Sequence, residues 1–126
     1  MKAWIPLTLA FALSTAVHAQ SSCTYPAAPV TPPDGATATK DQMIAANKDY
    51  GRYNTEMNGY LDCLKAASDA LIPKDPSKLS PDEKKKLDDQ QKILVQKSNA
   101  AVDELQAAVG RFNEQLKIFK AKQQKS

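Results

Sequence analysis

Two stretches of the chain place a core-type residue at alternating three- and four-residue steps. In the first, Met43, Ala46, Tyr50, Tyr53, Met57, Tyr60, Leu64, Ala67 and Leu71 keep one unbroken register. An α-helix turns once in about 3.6 residues, so this spacing lines all nine side chains along a single face. The second stretch repeats the pattern with Val95, Ser98, Val102, Leu105, Val109, Phe112, Leu116 and Phe119, among which Ser98 alone is polar. Leu94, Ala101 and Ala108 lie beside that stripe and widen it. Upstream of Val95 the stripe weakens, because Asp88 and Gln91 stand where core residues belong, and this is expected to be the loosest part of the second helix.

The ends of both stretches carry their own signals. Thr39 followed three places on by Gln42 has the layout of a capping box. In "SPDE", Ser80 suits the cap, Pro81 the first helical position, and Asp82 and Glu83 the positive end of the helix. Between the stretches, the three prolines of "PKDPSKLSP" rule out continuous helix. The pattern therefore predicts an all-α chain with helices over about 39–72 and 81–122, folded back as an antiparallel two-helix hairpin, and a short tail over 123–126. Pairing Ile72 with Pro81 and counting outwards sets Tyr50 and Tyr53 near Val102 and Leu105, and Met43 near Val109 and Phe112. Leu116 and Phe119 then overhang the start of the first helix.

Ahead of the hairpin, residues 1–19 read as a secretory signal peptide: Lys2, a mostly apolar run from Ala3 to Val17, and small residues at 17 and 19, with cleavage expected between Ala19 and Gln20. The run is short for a spanning helix and Pro6 interrupts it, although an uncleaved anchor is the alternative. Cys23 is not preceded by the aliphatic residue that lipidation requires, since Gln20, Ser21 and Ser22 stand there. A periplasmic or secreted location follows. Without Lys2, the 17 Lys and Arg become 16 against 14 Asp and Glu, which singles out no polyanionic partner and no nucleic acid.

Residues 20–38 form a proline-rich arm. Cys23, Pro26, Pro29 and Pro32 recur every third residue, which in polyproline II aligns them along one edge, and "PPDG" supplies turn chemistry leading into the first helix. Cys63 falls beside the first stripe, next to Leu64, and is reachable from outside the helix pair. The ten residues from Cys23 to Pro33 span roughly 31 Å, and the 24 from Thr39 to Cys63 roughly 36 Å. An arm running back along the first helix thus brings Cys23 to Cys63, and one disulfide is the expectation, with intermolecular pairing or free thiols as alternatives. Gly59, one turn before Cys63, is either room for the arm or a neutral glycine.

Residues of catalytic chemistry are scarce. Trp4 and His18 are the only residues of their kinds and both lie in the signal, so the remaining chain has no imidazole for nucleophilic catalysis or for transition-metal ligation. Adjacent carboxylates such as Asp82 with Glu83 diverge around the helix, and no glycine-rich phosphate loop occurs. No catalytic, cofactor-binding or metal residue is assigned. Lys84 to Lys86 and the tail lysines Lys117, Lys120, Lys122 and Lys125 offer a basic surface for anionic envelope polymers or lipid headgroups, or simply solvation.

"CTYP", "PPDGATATKDQM", "YLDCL" and "NAAVDELQAAVGRFNEQLKIFK" resemble a group of small secreted proteins of Gram-negative bacteria that are uncharacterised. The resemblance covers most of the chain after the signal and both cysteines. It implies export and a helical hairpin, and implies no activity. The sequence thus reads as a non-enzymatic exported protein without cofactors, acting through helix-face contacts with an unknown protein or with itself as a homodimer. Leu94, Ala101 and Ala108 are the expected contact face. The alternatives are an envelope-surface binder of anionic lipid or polysaccharide, and a small inhibitor of another envelope enzyme.

Overall fold

The computed structural model describes residues 23–125. The expected signal peptide lies outside the described residues. Helix α1 runs Lys40–Ala70 and helix α2 runs Pro81–Gln123, joined by a connector that holds a short 3-10 helix, Pro76–Lys78. The two helices pack as a hairpin, and no strand occurs among the described residues.

Both helices begin as their sequences dictate. The Thr39 hydroxyl accepts from the Gln42 amide while the Gln42 side chain accepts from the Thr39 amide, and Ser80 with Glu83 repeats the arrangement at α2. Each box satisfies two amides that a helix start leaves without partners, stabilising it by about 1 kcal/mol. Helix α1 ends at Ala70, three residues before Pro73, which disfavours helical geometry at Ile72 just ahead of it. Asp75 caps the 3-10 turn, accepting from the Ser77 amide and hydroxyl, and these bonds hold its carboxyl below the usual range.

The α1 stripe is buried from Met43 to Leu64 in the expected register. The α2 stripe is not. Its buried residues are Ala101, Ala108, Phe112 and Phe119, with Leu94, Ser98, Leu105 and Gln115 half-buried on the same line. Val95 and Val102 are 55 % and 37 % exposed. The face turned to α1 is therefore rotated by about one residue, roughly 100° per position, toward the alanines. Volume explains the choice: Tyr53 and Met57 are the largest fully buried side chains, and they pack in one cluster with Ala101 and Ala108. Small residues on α2 make room for large ones on α1 at ordinary packing density.

The axial register also differs from simple counting. Tyr50 stacks on Phe112 with ring centroids 4.8 Å apart, rather than lying near Val102 and Leu105. Met43 meets Leu116 and Phe119, which therefore do not overhang. The connector is not a tight reversal, so α2 starts beyond the end of α1. Its residues 81–90 are exposed save for half-buried Leu87, in keeping with the weak stripe there.

Candidate interaction surface

The arm returns along the hairpin in the direction opposite to α1. Asp34 makes the reversal: its carbonyl accepts from the Thr37 and Ala38 amides and its carboxylate from the Ala36 amide. Gly35 then donates its N–H to Gln115 Oε1 at 2.8 Å. A Cβ at Gly35 would fall on the Gln115 carbonyl oxygen and 2.9 Å from the Phe119 nitrogen, so only glycine lets the turn touch the α2 backbone. Gly59 has open space where its Cβ would be. The arm's approach is thus not the reason for that glycine.

Further along, the Val30 amide donates to Asp49 Oδ2 at 2.8 Å and its carbonyl accepts from the Tyr50 hydroxyl at 2.9 Å. The Tyr25 ring meets Tyr60 edge-on at 5.0 Å, and its hydroxyl donates to Glu104 Oε2 at 2.6 Å. Tyr53 donates to the other Glu104 oxygen at 3.3 Å. Cys23 is bonded to Cys63 with their Cα atoms 5.7 Å apart, as the matched lengths predict. Partners on α1 alternate with partners on α2, so the arm lies along the seam between the helices and closes one side of the hairpin.

The electrostatics of this seam follow from its contacts. The Val30 amide, and then Arg52, hold the Asp49 carboxyl below its ordinary value. Burial, and then the hydrogen bond to Glu104, push the Tyr25 phenol up, and burial raises Tyr53 and Tyr50. These groups fasten the arm; the neutral phenols and the ionised Asp49 are its holding forms.

The opposite side has no such cover. Val95, Val102, Val109 and Leu116 recur every seven residues, one position past the buried line, and so form a column along that edge of α2. Across from them on α1 stand Ile44, which is 57 % exposed, and half-buried Leu61. Ile44, Asn47 and Leu116 border one shallow depression, which places both helices' outer residues on this same side. Around them stand Asn47, Gly51, Asn54 and Asn58 on α1, and Asn99, Gln106 and Asn113 on α2, while Lys40, Lys117 and Lys120 border the depressions beside Leu116.

Two of the residues expected to form a contact face are elsewhere. Ala101 and Ala108 are 0 % and 1 % exposed inside the hairpin, and Leu94 is half-buried beside them. They hold α1, and the open edge belongs to the neighbouring valines. The signal for that edge was the valine column itself, which the period alone assigns equally well to the core. Lys117, Lys120, Lys122 and Lys125 are all exposed near the end of α2, where Lys117 and Lys120 border a shallow depression with Leu116.

Among the described residues, no group of three or more His, Cys, Asp or Glu is placed to hold a metal ion, and no helix is long and apolar enough to cross a membrane. Comparison with protein-family models, with curated proteins and with solved structures gave no match.

Proposed function

We propose that the protein is exported to the periplasm or beyond and acts, without catalysing a reaction, by presenting the side of its hairpin opposite the arm to another protein surface. The observation that carries this reading is the column Val95, Val102, Val109 and Leu116, whose first two members are exposed and whose last two are only half-buried at the edge of the hairpin away from the arm. Contiguous exposed apolar surface is costly in water and marks interaction sites. Export is supported by the layout of residues 1–19 and by the Cys23–Cys63 disulfide, since such bonds persist in oxidising compartments.

The test is photo-crosslinking in the producing cell, with a benzophenone residue at Val102 and, as control, at exposed Ala107, one turn past Glu104 on the arm side of α2. Protein adducts at Val102 and none at Ala107 are expected. Equal or absent capture at the two positions overturns the reading.

A second reading is favoured by one feature. After Gly110 the chain carries Arg111, Lys117, Lys120, Lys122 and Lys125 against Glu114 alone, a basic end suited to anionic lipid or polysaccharide. Binding of that kind falls steeply with salt, whereas apolar helix contacts do not. Co-sedimentation with anionic vesicles at low and high salt separates the two. An envelope enzyme inhibited by the hairpin is one form that a protein partner takes under the first reading.

A further inference from the structure

We infer that the surface around Leu116, flanked by Lys40 of α1 and by Lys117 and Lys120 of α2, docks on the headgroups of an anionic phospholipid membrane. This rests on the second reading above, that the basic end takes a polyanion, and it names that polyanion and the residues that hold it.

Leu116 is the wall shared by two shallow depressions. Lys40 and Ile44 border one, Lys117 and Lys120 border the other, and no Asp or Glu borders either. The acids nearest in sequence lie on other faces. Glu114 borders the depression on the arm side together with Arg111, and Asp41 stands about 100° round α1 from Lys40, in the first turn, where it suits the positive helix end. Toward the connector, Lys65, Lys78 and Lys85 each pair with an aspartate. Among the described residues, Lys40, Lys117 and Lys120 form no ion pair. Helix stability accounts for Lys120, which lies in the last turn of α2, and not for Lys40, which opens α1 at the end where a positive charge is unfavourable. An anionic surface supplies the counter-charge that the chain withholds from this patch.

The apolar residues select the kind of surface. Ile44 is 57 % exposed, and Leu116 stands half-buried between the lysines. A hydrated polysaccharide gives these side chains nothing to enter, whereas a bilayer places an apolar layer directly beneath its phosphates. Lysine suits that boundary, because its stem lies along apolar surface while its ammonium stays at the headgroups. The attraction that each lysine adds near such a surface is screened by salt and falls off within a Debye length.

Co-sedimentation of the exported chain with vesicles of phosphatidylethanolamine and phosphatidylglycerol, and with vesicles of phosphatidylcholine, tests the site. Binding is expected on the first at low salt, weakening as salt rises, and not on the second. K40Q/K117Q/K120Q should weaken it on the order of 100-fold, while K84Q/K85Q/K86Q, which removes the same charge at the start of α2, should leave it within about twofold. All of these lysines are exposed, so both variants should keep wild-type helicity. The I44W variant should shift its emission to the blue on the anionic vesicles and not with dextran sulfate, a soluble polyanion without an apolar layer. Equal effects in the two lysine variants overturn the inference, since net charge rather than this patch then governs binding, as does unshifted I44W emission on vesicles that bind the chain. Binding to dextran sulfate without binding to anionic vesicles makes the basic end the right surface and the membrane the wrong occupant. Binding to neither overturns both the inference and the reading beneath it.

Discussion

The Tyr25 hydroxyl donates a 2.6 Å hydrogen bond to the Glu104 carboxylate, joining residues 79 positions apart. Two residues earlier, Cys23 is bonded to Cys63 of α1. The free end of the arm is thus pinned to α1 by a covalent bond and to α2 by a charge-assisted hydrogen bond. The arm locks the axial register of the hairpin, because neither helix can slide without breaking one of them.

Alkaline titration should expose that lock. The Tyr25, Tyr53 and Tyr50 phenols are all raised in the folded chain, so their contribution is fully present below the unfolded value near 10 and is lost as pH rises beyond it. Melting temperature should therefore fall from about pH 10 upward. Tyr25→Phe should melt lower at neutral pH, by about 1 kcal/mol given its partial exposure, and should show a smaller alkaline decline. At the acid end the sign reverses. Asp49 is depressed by the Val30 amide and Arg52, so its contribution is present above the unfolded value near 3.8 and lost as pH falls through the folded one. Asp49→Asn should flatten that part of the acid transition, read by circular dichroism.

Non-reducing digestion of the exported protein should yield one joined peptide pair, Cys23 with Cys63, in a single chain. The loop encloses a separation of 40 residues, for which the chain-entropy model gives up to about 4 kcal/mol. The double serine variant should melt lower by no more than that. Free thiols, or bonds between chains, would sink the assignment.

Glycines should divide sharply. Gly35→Ala drives a methyl group into the α2 backbone at Gln115, where nothing flexible can yield, and should cost about 1–3 kcal/mol as overpacking. Gly59→Ala meets open space within a helix and should stabilise by up to about 1 kcal/mol. Chemical denaturation of the two variants checks both, and a stabilising Gly35→Ala would refute the contact.

The rotation of α2 has its own test. Ala101→Leu should cost about 1–3 kcal/mol, because position 101 is filled by its neighbours, while Val102→Leu should stay within about 0.5 kcal/mol. The reverse order would return the buried line to the valines.

Much of this architecture is written locally. Thr39 with Gln42, and Ser80 with Glu83, start helices through bonds that span three residues. The α1 stripe has no rival reading because, Ile44 and Leu61 apart, its flanking positions are polar or small. The prolines of the connector, the "PPDG" turn and the matched lengths that bring Cys23 to Cys63 likewise depend on chain geometry alone. On α2 the apolar stripe is two positions wide, and Ala101 or Val102 satisfies the period equally well. Only the volumes of Tyr53 and Met57 across the interface decide that the alanines go inward and the valines stay out. The axial register was hidden for the same reason: Tyr50 finds Phe112, and Gly35 finds the backbone at Gln115, through contacts between segments far apart in sequence. Side-chain periodicity reports which faces want burial; which residues meet there is settled by shape, and shape belongs to the pair of helices together.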